Sequence, residues 1–294
     1  MTEFTSHLTA NWRDYYEMCK PRVVMLMILT SLVGMFLAAP GMVSLDVLLF
    51  GNLGIALVAA SGAVVNHFID RKIDIKMKRT HNRPLPQGRV DARGTIIFAI
   101  TIGVMGMAIL LVWVNPLCAW LTLASFIGYA FIYTGYLKHA TPQNIVIGGL
   151  SGAMPPLLGW SAVTGSIDPD ALILVLIIFS WTPPHFWALA LHRKDEYAKS
   201  GVPMLPVTHG EQVTKVHIIA YTGILLVVSS MPYFSGMSGV FFLACAMILG
   251  AGFLFFSWLL MIRPGPTTAM DTFRYSIVYL ALLFISLLVD HYIF

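Results

Sequence analysis

The sequence predicts an all-α integral membrane protein: a bundle of nine transmembrane helices, with the N-terminus in the cytoplasm and the C-terminus outside. Three observations carry this. The chain of 294 residues is 57% hydrophobic and 11% charged, with a mean hydropathy of +0.78; soluble domains carry roughly 25% charged residues. Nine apolar segments approach the ~20 residues needed to cross a bilayer. When these segments alternate across the membrane, every one of the 18 lysines and arginines falls on the same side. The positive-inside rule makes that side the cytoplasm.

The nine segments are 22–39, 46–68, 94–114, 117–137, 143–164, 171–191, 215–235, 238–261 and 273–293. Pro40-Gly41, Asn115-Pro116, Asp168-Pro169 and Pro264-Gly265-Pro266 punctuate the gaps between them. They are too long and too irregular in alternation to be strands. One membrane domain therefore spans 1–294, with a cytoplasmic arm at 1–21 and cytoplasmic loops at 69–93 and 192–214. The arm has acids and no apolar signal region, so it does not read as a signal peptide. Trp12, Tyr15 and Tyr16 suit it to the membrane surface, and a disordered arm is the competing reading. Cys19, Cys118 and Cys245 lie far apart, without metal or disulfide spacing. The net charge of +4 reflects topology, which removes its value as a sign of nucleic-acid binding.

Charge gathers in Asn66–Gly88, NHFIDRKIDIKMKRTHNRPLPQG. On a helix, Asn66, Asp70 and Asp74 advance about 40° per step of four and share one face. Two neighbouring carboxylates repel unless a cation joins them. Mg²⁺ suits an oxygen-ligand site that also holds phosphates. Arg71, Arg79, Arg83 and other bases of the segment are then phosphate donors. Positive-inside bias accounts for bases such as Lys76, Lys78, Arg89 and Arg93, but not for acids at helical spacing. A second polar cluster, WTPPHFWALALHRKDEYAKSGVPMLPV, follows the sixth span. Should the second and sixth spans meet, Asp195 and Glu196 face Asp70 and Asp74, each pair holding a metal with a diphosphate between them. Ordinary solvated charges are the alternative for Asp195 and Glu196.

The run Asn66-xxx-Asp70-xxx-Asp74-xx-Met77-x-Arg79-Thr80-xx-Arg83 resembles the first aspartate-rich motif of the UbiA superfamily of intramembrane prenyltransferases. The span count agrees, so the resemblance covers nearly the whole chain. GGLSGAMPPLLGW and the Trp181–Val207 cluster resemble the haem-farnesylating branch of that superfamily. The resemblance implies a UbiA-type bundle in a bacterial inner membrane, active on its cytoplasmic side. It implies transfer of the farnesyl group of farnesyl diphosphate to a vinyl group of protohaem IX (haem B), with addition of water. The product, haem O, serves haem–copper oxidases, with haem A synthase or oxidase assembly factors as candidate neighbours. His192 and Arg193 depart from the superfamily's second motif, standing where further acids are often found.

For this reaction the expected metal ligands are Asn66, Asp70 and Asp74, with Asp195 and Glu196 at a second site. The expected diphosphate donors are Arg71, Arg79, Arg83, Lys138, Arg193 and Lys194. Tyr129, Tyr133 and Tyr136 fall on one α-helical stripe of the fourth span, where aromatic faces stabilise a cation; ordinary packing is the alternative. His185 follows Pro183-Pro184, where prolines disturb a helix, and is the expected contact to haem or to the reacting centre. Gly148, Gly149 and Gly152, with Pro155-Pro156, either open the fifth span to a bulky ligand or allow close helix packing. Three rivals remain: a prenyltransferase of 4-hydroxybenzoate or another aromatic acceptor, a non-catalytic assembly scaffold, and a transporter. The last would place ionisable groups near the bilayer midplane, whereas these spans are almost free of charge.

Overall fold

A computed structural model of the chain describes residues 11–75 and 80–293. Among these, all regular structure is helical. A short helix α1 (Trp12–Met18) precedes α2 (Pro21–Leu37). There follow α3 (Val47–Asp74), α4 (Ala92–Trp113), α5 (Pro116–Leu137), α6 (Asn144–Thr164) and α7 (Pro169–His192). The short helix α8 (Lys194–Ser200) leads to α9 (Gly210–Phe234), α10 (Val240–Ile262) and α11 (Pro266–Ile293). Eight of the helices are long and apolar enough to cross a membrane. The 17-residue α2 makes a ninth candidate together with α1, from which it bends by 52°. At 1.5 Å per residue α2 spans about 26 Å, slightly short of the hydrocarbon core.

Local chemistry sets the helix starts. Asp91 accepts from the Gly94 amide at 3.2 Å and opens α4. Asn115 accepts from the Cys118 amide at 2.9 Å and opens α5, with Pro116 in the first turn. Nothing between Asn66 and Asp74 breaks a helix. The second span therefore continues past its expected end at 68, and all three motif residues lie on one helix. The prolines of α7 do not disrupt it as expected. The helix runs continuously through Pro183 and Pro184, because α7 is the most enclosed span and its neighbours hold it.

α3 packs on α4, α7 on α6, α9 and α11, and α10 between α9 and α11. Two glycines set the crossing of α2 and α6. A Cβ on Gly34 would lie 2.1 Å from the Pro156 carbonyl oxygen, and one on Gly159 2.0 Å from that of Ser31. The last span returns to the first: His291 Nε2 lies 3.0 Å from the Ala39 carbonyl oxygen, and Tyr292 Oη donates to that of Phe36 at 3.1 Å. Large apolar side chains such as Ile97, Ile100 and Val104 on α4 face outward, as lipid contact requires. At the C-terminal end of α3, Ile73 packs with Ile145, Ala190, Tyr197, Val202 and Met204. That cluster joins the loop after the second span to the loop after the sixth.

Gly159→Ala is expected to overpack the α2–α6 crossing and cost about 1–3 kcal/mol, read as a lower unfolding temperature in detergent. Gly152→Ala, with nothing within 4 Å of the added carbon, is expected to leave that temperature unchanged.

Candidate active site

The site forms where the C-terminal end of α3 meets the end of α5, the α1–α2 junction and the loop at 80–91. Asn66, Asp70 and Asp74 are buried at 5%, 3% and 3% exposure. A buried carboxylate is tolerable only when paired, and each finds a base. Lys138 Nζ donates to Asp70 Oδ2 at 2.7 Å, and Arg83 donates to Asp74 Oδ2 at 2.7 Å. Asn66 Nδ2 donates to Asp70 Oδ2 at 2.8 Å and to Thr134 Oγ1 at 3.2 Å. Thr80 Oγ1 donates to the Asp74 carbonyl at 3.0 Å.

A third base completes the group. Lys20 Nζ donates to Asn66 Oδ1. The Lys20 backbone is left-handed, φ 50 and ψ 58, a conformation costing a non-glycine residue on the order of 1–3 kcal/mol. Burial pulls its ammonium from 10.5 down to about 7; the charge of Arg83 adds to that, Asp70 opposes it, Lys138 adds and Asp74 opposes. Lys20 was missed as a site residue because in sequence it is one more base before a span. The signal that could have found it is its place directly before Pro21, at the membrane edge where Asn66 also lies.

Two carboxylates thus face three basic side chains, and the site favours an anion. It also has room for a metal bond: Asp70 Oδ1 is buried without a hydrogen-bond partner among the described residues, while Oδ2 holds two. Both ring nitrogens of buried His67, the residue after Asn66, are likewise unpartnered. An open carboxylate oxygen beside a second carboxylate and an amide is a donor set that Mg²⁺ accepts.

The remaining expected residues divide. Tyr129 and Tyr133 stack at 6.0 Å between centroids. Tyr129 lies 3.3 Å from the position of a Cβ on Gly62, one turn before Asn66. Tyr136 is 68% exposed and leaves the stripe. The reason is winding: Gly128–Leu137 is a π-helix, whose i→i+5 bonding turns less per residue than the α-helix assumed from sequence. A Cβ on Gly148 would meet the Tyr133 ring at 2.1 Å, and one on Gly149 would meet Thr182 at 3.0 Å. Close packing therefore explains these two glycines.

Arg71 folds back on Phe68, donating to its carbonyl at 2.6 Å with its guanidinium 4.2 Å from the ring centroid. Lys194 pairs with Glu211 at 3.0 Å. Asp195 is exposed, Arg193 and Glu196 are partly so, and none of the three forms an ion pair with a described residue. Their helix α8 is brought beside the end of α3 by the Ile73 cluster. Among the described residues, however, no three His, Cys, Asp or Glu side chains gather as a metal site. Arg79 lies outside the described residues. His185 sits between α7 and α11: Nδ1 is 2.6 Å from Ser276 Oγ, and the ring stacks on Trp181 and Phe273 at 4.1 and 4.5 Å.

Known proteins resemble both the chain and its fold. A protoheme IX farnesyltransferase of Saccharophagus degradans is 60% identical over 296 residues, covering 100% of this chain and 98% of its own. Protoheme IX farnesyltransferase 1 of Pseudomonas fluorescens is 62% identical over 287 residues, covering 98% and 96%. In fold, the chain is similar to a digeranylgeranylglyceryl phosphate synthase, with a TM-score of 0.82 at 18% identity, covering 95% of this chain and 98% of that one. It is also similar to a UbiA homologue of Archaeoglobus fulgidus bound to DMAPP and Mg²⁺, with a TM-score of 0.68 at 15% identity, covering 93% and 99%. Residues 27–288 match the UbiA prenyltransferase family, and with relatives this similar along its full length, the chain belongs to that family.

Proposed function

We propose that the chain transfers the farnesyl group of farnesyl diphosphate to a vinyl group of haem B, giving haem O. The observation that carries the reading is the convergence of Lys20, Arg83 and Lys138, from three separate elements, over Asn66, Asp70 and Asp74. The full-length likeness to protoheme IX farnesyltransferases supplies the acceptor. On this reading the chain crosses a bacterial inner membrane nine times, with the N-terminus and the site on the cytoplasmic side and the C-terminus outside; the fall of all 18 lysines and arginines on one side supports it. The same reading makes haem–copper oxidases the users of the product.

The diphosphate sits at the polar edge, and its prenyl tail descends among the apolar helices. Lys20, Arg83 and Lys138 stabilise the charge that grows on the leaving diphosphate as the allylic C–O bond breaks and its electron pair goes to oxygen. Asn66, Asp70 and Asp74 would hold Mg²⁺, which would neutralise charge on the phosphate oxygens. Tyr129 and Tyr133 present ring faces to the allylic cation, while the apolar interior keeps water from it. The vinyl π electrons of haem form the new C–C bond. The resulting porphyrin-side cation takes up water and releases a proton, leaving the hydroxyl group. In this reading Asp195, Glu196, Arg193 and Lys194 serve as a second donor set for the diphosphate and its metal, and Arg71 and Arg79 as reserve donors. His185 orients the acceptor from α7.

Four outcomes test this. Membranes containing the wild-type chain, given haem B, farnesyl diphosphate and Mg²⁺, are expected to yield haem O by mass. Asp70→Asn is expected to reduce the rate by about 10²-fold or more, and chelation of Mg²⁺ to stop product formation until the metal is restored. A folded, haem-replete wild type that prenylates an aromatic acid instead would replace the acceptor and keep the site. Lys20→Met is expected to weaken Mg²⁺-dependent diphosphate binding about 10-fold, the scale of one charge-assisted hydrogen bond, measured by competition with farnesyl diphosphate.

A further inference from the structure

Arg89 takes no part in the site as described, yet it links two of the elements that build it. It pairs with buried Asp14 of α1, reaches Glu17 at 3.2 Å, and donates to the Asn82 carbonyl at 2.8 Å. An apolar seam runs beneath the pair: Met18, Val64, Val90 and Ala99 are buried together, and Tyr15 meets Phe98 at 4.9 Å. On one side of this joint, Lys20 follows Met18 by two residues and holds Asn66. On the other, the loop carries Arg83, which holds Asp74.

The loop between Arg83 and Arg89 is itself compact. Arg83 N donates to the Thr80 carbonyl at 3.1 Å, Gln87 N to Arg83 at 3.2 Å, Gly88 N to Leu85 at 3.1 Å, and Arg89 N to Pro84 at 2.9 Å. A segment bonded to itself in this way moves as a unit, so fixing Arg89 fixes Arg83. Asp14 is equally tied into α1, where its carboxylate also accepts from the Asn11 amide at 3.1 Å. The buried carboxylate has its principal cation in Arg89, and removing one partner of such a pair leaves the other uncompensated.

We propose that Arg89 is a positioning residue for the diphosphate head of the prenyl donor. Through Asp14 it locks α1 to the 80–91 loop and so sets Lys20 and Arg83 at their mutual spacing over the anion. The inference rests on the diphosphate site proposed above and extends it to two residues that touch no substrate.

The test uses the full chain in detergent or nanodiscs, with Arg89→Gln, Asp14→Asn and the double variant. Two quantities are read: steady-state haem O formation against farnesyl diphosphate, and competition by inorganic diphosphate with Mg²⁺. Each single variant is expected to raise the KM for farnesyl diphosphate and the inhibition constant of inorganic diphosphate together by about 10-fold. The kcat and the KM for haem are expected to stay within about three-fold. The double variant is expected to match the worse single, because both act through one contact. Asp14→Asn keeps an oxygen for the α1 cap and carries the test if Arg89→Gln does not fold. Unchanged diphosphate constants, a loss of kcat alone, or effects that multiply in the double variant would each overturn the proposal. Diphosphate binding that shifts as expected in a chain that makes no haem O would retain Arg89's role and refute the acceptor instead.

Discussion

The structure depends on how two carboxylates survive burial at the edge of a membrane. Asp70 and Asp74 each stand at 3% exposure, where an unpaired charge would be neutralised or would unfold its surroundings. They persist because Lys138 and Arg83 come to them from other parts of the chain. Three otherwise independent features follow from that demand. α5 must end beside α3, the loop after α3 must fold back over it, and the N-terminal arm must close the remaining side with Lys20. The bases outnumber the acids, so the pairs that keep the site folded also prepare it for a multiply charged anion.

The apolar part of the chain answers a different constraint. Lipid offers no hydrophobic drive for one helix to join another, so association depends on close approach and internal hydrogen bonds. Gly34 and Gly159 supply the approach at the α2–α6 crossing. Buried Asp290 supplies a polar bond at the opposite end of the bundle, accepting from the backbone amides of Gly239 and Phe242 to cap α10. A carboxylate can therefore be buried here for purely structural reasons. What separates Asp70 from Asp290 is the oxygen that Asp70 leaves without a partner.

Much of this was legible in the sequence. Span positions followed from length and apolar content, and Asn66, Asp70 and Asp74 were marked by acids at helical spacing where only bases were expected. Lys138 and Arg83 were legible as bases near those acids, though not which acid each would meet. Lys20 was not, because its role depends on a bend between α1 and α2 and a left-handed backbone that no local pattern announces. Arg89 was assigned to topology for the same reason: its partner Asp14 lies 75 positions away. Asp195 and Glu196 sit on the helix whose Tyr197 shares an apolar cluster with Ile73 of α3, but spacing along one loop cannot tell which side chains turn inward. His185 looked exceptional as a histidine inside a span, and its engagement with Ser276 appears only once α7 and α11 are packed.

Tyr136 exposes the most specific limit of reading spans as ideal helices. Four residues make slightly more than one turn of an α-helix and less than one turn of a π-helix, so a step of four keeps its face in either. Thr134 and Lys138, four apart, meet Asn66 and Asp70, also four apart, and both contacts have the same separation of 68 residues. Helices α3 and α5 thus run side by side in one register through the site. Tyr129 and Tyr133 keep the same step and stay inward as a stacked pair. A step of seven does not survive the change, since it closes two turns only in the α form, and Tyr136 turns out of the stripe. The altered winding also brings the hydroxyl of Thr134 within 2.9 Å of the Tyr129 carbonyl, five residues earlier, while the same oxygen accepts from Asn66. π-helical turns are uncommon and gather at functional sites. Here the winding ends at Lys138, which caps the segment and pairs with Asp70, so the position of that ammonium follows from the widened turn as much as from the lysine itself.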